Sequence, residues 1–443
     1  MLITHARLAT FGEEHQLIDD GALLLEGDRI AAVGGTAELT GRHPDAEQWD
    51  AQGQLVLPAS ICAHTHFYGA FSRGMGIPGA PPEDFPQILQ RLWWQLDKAL
   101  TLDDVRYSAL VCLVDAIRHG TTTLIDHHAS PNAIEGSLDV IAEAVQQAGL
   151  RASLCYEVTD RDGEARRQAG IQENLRFAKR AAGESLLAAS FGLHASLTLS
   201  DETLADCAAA VAAEELDVGF HVHAAEGKSD QEDALRKSGK RVIHRLGDAG
   251  ILGPKTIAVH CVHVDESEIA RLAETDTWVT HQPRSNMNNA VGVAPVEQMI
   301  ESGVNVGLGN DGFSNQMFAE MKTAYFVHKL HQRDPRAMPG NLIMDIAYAN
   351  SARLAQRFWP EQRLGELSEG AMGDLVFVDY HPTTPLSADN LPWHILFGFE
   401  ASMITATVCA GRVLMRDREL LTLDEEAITA RSRELAAEVW ERL

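Results

Sequence analysis

Residues 55–66, LVLPASICAHTH, decide the fold: an apolar run that ends in a His-x-His pair. The same design returns downstream at 121–129 (TTTLIDHHA), 151–160 (RASLCYEVTD), 186–196 (LLAASFGLHAS) and 217–227 (DVGFHVHAAEG). It continues at 255–264 (KTIAVHCVHV), 277–286 (TWVTHQPRSN) and 304–312 (VNVGLGNDG). Each is followed by a stretch with helical character, such as LDVIAEAVQQAG (138–149) or DETLADCAAAVAAEEL (201–216). Continuously apolar strands alternating with helices predict a parallel sheet covered on both faces. Eight such units predict an α/β fold of the (β/α)8 TIM-barrel type rather than an open doubly wound sheet.

Outward from this series the texture changes. LITHARLATF (2–11), GALLLEGDRIAAVG (21–34) and AQGQLVLPA (51–59) read as short strands broken by turns. The pattern returns at GDLVFVDY (373–380) and ASMITATVCAGRVLMRDREL (401–420), where Ala410-Gly411 has the look of a hairpin turn. The last 21 residues, LDEEAITARSRELAAEVWERL, are acidic first and basic last, as a helix dipole favours. The expected organisation is a composite β-sandwich domain from 1–58 and 363–443, with the barrel over 59–362. The segment GAFSRGMGIPGAPPEDFPQ (69–87) is Gly/Pro-rich and long enough to act as a lid.

Composition narrows the partners. Among 443 residues, 37 Lys plus Arg stand against 63 Asp plus Glu, a net charge of −26, which disfavours nucleic acid and anionic membranes. The six cysteines form no C-x-x-C pair, and the N-terminus lacks the character of a signal peptide, so a cytoplasmic setting is expected.

The chemistry gathers at the strand ends, where barrel enzymes place their active sites. Strand one ends in His64 and His66, which share a face at i and i+2. Strand five ends in His221, His223 and Glu226, strand six in His260 and His263, and strand eight in Asp311. Three histidines and an aspartate around an open position form a catalytic metal arrangement rather than a closed structural one. Binuclear barrels bridge two ions with a strand-four lysine. Here SFGLHAS has none, and Lys179 lies in the preceding helical stretch, so one ion is expected.

These residues resemble the amidohydrolase superfamily, in its mononuclear deaminase branch with guanine deaminase and the triazine hydrolases. The strings LWWQLDKAL, IDHHASP, RSNMNNAVG, NDGFSNQMFAEMK and TPLSADNLPWHILFG are most similar to SsnA-type aminohydrolases. The resemblance implies His64, His66, His223 and Asp311 as ligands of one divalent metal, Zn²⁺ ahead of Fe²⁺. Glu226 matches the proton shuttle, and its spacing favours His223 over His221. His260 matches the histidine that contacts the metal's water or the substrate, and His263 is a rim residue. The catalytic set is then Glu226, His260 and Asp311. A water acidified toward pKa ~7 supplies hydroxide, which attacks an amino-bearing ring carbon while Glu226 protonates the ring; ammonia leaves.

The expected substrate is a nucleobase-like heterocycle of guanine, isocytosine or pterin type. His194, Arg73, Glu157 and Asn286 are the candidate contacts, within a donor-rich ring that includes His127, His128, Asp160 and Arg284. Trp93 and Trp94 either stack on the ring or roof the lid, although tryptophans at helical spacing more often belong to the core. HQPRSN for the family's HNPxSN, and GNDG for GTDG, make Gln282 and Asn310 departures that bear on substrate rather than reaction class. Cyclic amide or triazine hydrolysis is the runner-up, and a catalytically silent binding barrel comes third. The resemblance also implies a homodimer.

Overall fold

A computed structural model describes every residue from Met1 to Leu443 except Glu13 and Pro78. The barrel strands are β1 (Ser60–Thr65), β2 (Thr121–Asp126), β3 (Arg151–Leu154), β4 (Leu187–Ala189 continuing as Phe191–Ala195) and β5 (Phe220–Ala224). The series ends with β6 (Ile257–His260), β7 (Trp278–His281) and β8 (Val306–Leu308). All neighbouring pairs run parallel, and nearly every strand residue is buried.

The ladder is not one continuous ring. Its four- and five-stranded halves meet at Ser190 in β4, and β1 meets the end of β8 through a Thr65–Asp311 bridge. There the Asn310 amide donates to the His64 carbonyl at 2.9 Å, and the His66 amide donates to the Asp311 carbonyl at 3.1 Å. The seam of the barrel therefore runs through the histidine pair.

Strands from both termini form a separate nine-stranded sheet. It has its own core, in which Trp49 stacks on Phe377 with centroids 4.4 Å apart. Ala410 and Gly411 both take positive φ (48° and 73°), as a two-residue type I′ hairpin requires, and they join Ile404–Cys409 to Arg412–Arg416. Arg151, wholly buried at the foot of β3, bonds to Asp374, Thr123 and Gln362 and so ties the barrel to this sheet. The C-terminal helix Glu425–Glu441 crosses to the barrel, where the Trp440 indole donates to the Phe71 carbonyl at 2.8 Å.

Between β1 and the capped helix Leu102–Arg118, the chain forms short helical pieces at Phe67–Ser72, Phe85–Ile88, Leu89–Trp93 and Trp94–Ala99. The expected lid segment lies here, although its Pro78 is outside the described residues. No helix among the described residues is long and apolar enough to cross a membrane.

Candidate active site and metal centre

The β1 histidines point across the barrel mouth at Asp311. Its Oδ1 lies 3.0 Å from His66 Nε2 and 3.5 Å from His64 Nε2. His66 Nε2 is also 3.1 Å from His223 Nε2, contributed by β5. The opposite edge of each ring is anchored: His66 Nδ1 donates to the His127 carbonyl and His223 Nδ1 to the His194 carbonyl, both at 2.6 Å. His64 Nδ1 lies 2.9 Å from His221 Nε2.

These anchors fix the tautomers. A neutral ring whose Nδ1 carries the hydrogen presents a bare lone pair at Nε2. Burial would lower His66, but the Asp311 carboxylate 3.0 Å from its Nε2 outweighs it and raises the ring to about 9, so a proton holds this point when no cation does. His64 Nε2 and His260 Nε2 are buried without a hydrogen-bond partner. A divalent cation would take the place of the His66 proton: around a tetrahedral zinc with bonds of about 2.0–2.2 Å, neighbouring ligand atoms stand roughly 3.3–3.6 Å apart. Ligand atoms of His64, His223, His260 and Asp311 all lie within 4.8 Å of one another. The donor set suits a single divalent metal, with His64, His66, His223 and Asp311 able to hold it and His260 facing the same point.

Electrostatics separates the two carboxyls. Burial, then the charge on Asp311, pushes Glu226 well above the usual carboxylate range. Burial would also raise Asp311, but the adjoining rings of His64 and His66 outweigh it and hold that group well below the range. One carboxyl is thus favoured in its protonated form and its neighbour in its ionised form, a division also found in acid–base sites. Burial and neighbouring imidazoles hold His64 and His223 well below the ordinary histidine value, in the neutral form that a metal ligand needs.

Backbone strain concentrates at the same place. Ala225, His260, Cys261 and Asp311 all adopt positive φ (53°, 71°, 48° and 58°), each at or beside a group that faces the site.

Among the expected substrate contacts, His194 lines the pocket. The other three lie elsewhere. Arg73 faces a groove against the C-terminal helix, beside Trp440. Glu157 is buried beneath the cluster, with its carboxylate 3.2 Å from His127 Nδ1 and 3.5 Å from His66 Nδ1. Asn286 uses its Oδ1 to accept from His260 Nδ1 at 2.9 Å, so it orients that ring.

The donor-rich wall is largely spent on structure. Arg284 pairs with Glu320 and Ser314, Asp160 holds Ser200 and Thr203, and His128 bonds to Ser130. Gln282 is buried behind Gly309, and Asn310 bonds to Asn315. Trp93 lines the pocket, while Trp94 covers the Arg161 guanidinium at 4.9 Å. His263 donates to the Val291 carbonyl at 2.8 Å, away from the reacting groups.

The pocket walls are instead Tyr68, Phe85, Leu89, Trp93 and Leu197, with Glu226, Asn289, Asp230 and Asp311 among the polar residues. Phe85, Leu89 and Trp93 fall at i, i+4 and i+8, one face of the helical strap that follows β1. That spacing was available in the sequence as a signal. The role of His221 behind His64, by contrast, depends on contacts across the barrel.

A family model described as "Amidohydrolase family" matches residues 55–414. The chain belongs to the amidohydrolase family. A 5-methylthioadenosine/S-adenosylhomocysteine deaminase of Desulforudis audaxviator is 32% identical over 92% of each chain. A 5′-deoxyadenosine deaminase of Methanosarcina mazei is 30% identical over 100% of this chain and 99% of its own. Among solved structures, a zinc-bound adenosine deaminase from Xanthomonas campestris superimposes with a TM-score of 0.87 at 24% identity, over 99% and 98% of the two chains. This amidohydrolase is a hydrolase of carbon–nitrogen bonds, of the type that removes an amino group from a small heterocycle.

Proposed function

We propose that the protein hydrolytically deaminates a 6-aminopurine nucleoside whose 5′ end is apolar. The observation that carries this reading is the pocket lining: aromatic and aliphatic walls around Glu226 and Asp311, with no arginine among the lining residues. Guanine, isocytosine and pterins each carry a carbonyl one ring nitrogen away from the amino-bearing carbon, and a buried carbonyl needs a donor. With Arg73 and Arg284 engaged elsewhere, the pocket offers such a carbonyl no guanidinium, which favours an adenine-type ring. The deaminase names of the sequence relatives, all on adenine nucleosides, support the same class.

A divalent cation on His64, His66, His223 and Asp311 would acidify the attacking water. Asp311, the ionised partner, would take that water's proton. His260 keeps its Nδ1 hydrogen on Asn286, so its Nε2 is free to accept from the nucleophile. Glu226, held neutral, donates to the ring nitrogen next to the amino-bearing carbon, and protons then pass to the departing amine. Tyr68, Phe85, Leu89 and Trp93 exclude bulk water from the ring.

The test is ammonia release from 5′-deoxyadenosine, 5′-methylthioadenosine, S-adenosylhomocysteine and adenosine, beside guanine, isocytosine, a pterin and an aminotriazine, on metal-quantified protein. Turnover of 5′-deoxyadenosine and 5′-methylthioadenosine, ahead of adenosine and S-adenosylhomocysteine, is expected. Turnover of the carbonyl-bearing bases alone would overturn the adenine reading. A cytoplasmic setting belongs to the same proposal and rests on six unpaired cysteines, five of them buried.

A further inference from the structure

The short helix Pro283–Asn288 follows β7 and reaches the acid–base groups with three side chains. The Ser285 hydroxyl donates to Asp311 Oδ2 at 2.5 Å, and Asn286 Oδ1 accepts from His260 Nδ1 at 2.9 Å. Asn289, at the helix C-cap, donates from Nδ2 to Glu226 Oε1 at 3.3 Å and lies 3.4 Å from Ser285 Oγ. Ser285 and Asn289 are i and i+4, so they stack on one face and their side chains meet. The helix is fixed at its start by Arg284, which bonds to Glu320 and to the Ser314 carbonyl.

Glu226 has little else to hold it. Among the described residues Asn289 is its one side-chain hydrogen-bond partner, and Oε2 lies 3.4 Å from His260 Nε2. We propose that Asn289 is the positioning residue for Glu226: its amide fixes Oε1 as an acceptor and turns Oε2, as the proton-bearing oxygen, toward the substrate. A neutral carboxyl has one acceptor oxygen and one donor oxygen. A donor at Oε1 therefore selects which is which, and leaves the acid proton on the oxygen nearer His260. The resulting path, Asp311–Ser285–Asn289–Glu226, links both carboxyls through one helix, so their separation is set by its rigid backbone rather than by the substrate.

This inference rests on the proposed role of Glu226 as the acid. The experiment measures kcat and KM for Asn289→Leu and the smaller Asn289→Ser, with 5′-deoxyadenosine as the probe, alone and in a Glu226→Gln background. Metal content and melting temperature are matched to the parent protein. Misplacing the acid is expected to lower kcat about 10- to 100-fold, with KM changed less than threefold. In the Glu226→Gln background, replacing Asn289 is expected to change the residual rate less than twofold, because the group it positions is gone. Unchanged kcat, a KM effect without a kcat effect, or the full loss repeated in the Glu226→Gln background overturns the role of Asn289 and leaves the acid assignment standing. Full activity of Glu226→Gln alone overturns the acid assignment, and the inference falls with it.

Discussion

Phe85 of the strap rests against Gly227, the residue after Glu226: a Cβ on Gly227 would stand 3.0 Å from Phe85 Cδ1. Trp93, two turns further along the strap, covers Gly312 in the same way beside Asp311, with the corresponding distance 3.6 Å. The strap therefore seats its aromatic side chains on glycines that directly follow the two carboxyls. Roof and acid–base groups share a backbone.

Gly227→Ala should lift Phe85 and loosen the roof. Because Phe85 can rotate away, the fold should survive. KM for the nucleoside is expected to rise severalfold while metal content stays at that of the parent. An unaltered KM would show that Phe85 does not bear on the bound ring.

Glu226→Gln should keep the cation and lose turnover. The amide preserves shape but cannot donate an acidic proton, and general acid catalysis is worth roughly 10²–10⁴-fold. Steady-state ammonia release with elemental analysis of the same sample checks both halves. Retained turnover would remove Glu226 from the chemistry.

Chelation should destabilise the protein as well as silence it. His64, His66, His223 and Asp311 turn donor atoms toward one point only in the folded chain, so a cation there would bind the folded state alone. A ligand that binds only the folded state raises stability with its concentration, so the melting temperature should fall on chelation and recover with Zn²⁺. A melting curve indifferent to chelator would argue against a metal at this cluster.

Arg151→Met should unfold more easily than a surface change. It leaves Asp374 buried and unpaired, and breaking one side of a buried pair costs about 3–5 kcal/mol. Adding Asp374→Asn should recover part of that loss in urea denaturation. If the single and double variants are equally unstable, the pair is not what ties sheet to barrel.

Stability should also carry a signature from Glu320. Burial raises its carboxyl to about 7, against the opposing influence of Arg284. Since the folded value lies above the unfolded value of about 4.3, the folded state holds more protons between the two. This group's contribution therefore favours folding below that window and is lost as pH rises through about 7. Compared with the parent, Glu320→Gln should lose less stability between pH 5 and pH 8 in denaturation series. Equal slopes would place Glu320 outside the balance.

What could be read from the linear chain is what depends on local pattern. Burial on both faces makes barrel strands continuously apolar, so the β/α alternation, the strand ends and the Ala410-Gly411 turn were legible. His64, His66, His223, Glu226, His260 and Asp311 could be proposed as one group because strand ends of a barrel converge wherever they fall in sequence. Arg73, Glu157 and Asn286 turn to other partners in the fold, since a loop residue's direction depends on what packs against it.

The sequence by itself determined the alternation that builds the barrel and the residue types able to hold one cation. Only the tertiary structure decided which edge of the His66 and His223 rings faces the site, because the carbonyls of His127 and His194 that anchor their Nδ1 atoms come from other strands. It also decided that the donors expected around the substrate are spent on Glu320, Ser314 and His260, leaving aromatic walls. The reason is physical: a side chain's type is local, but its partner is chosen by long-range packing, and a buried donor serves whichever acceptor the fold brings to it.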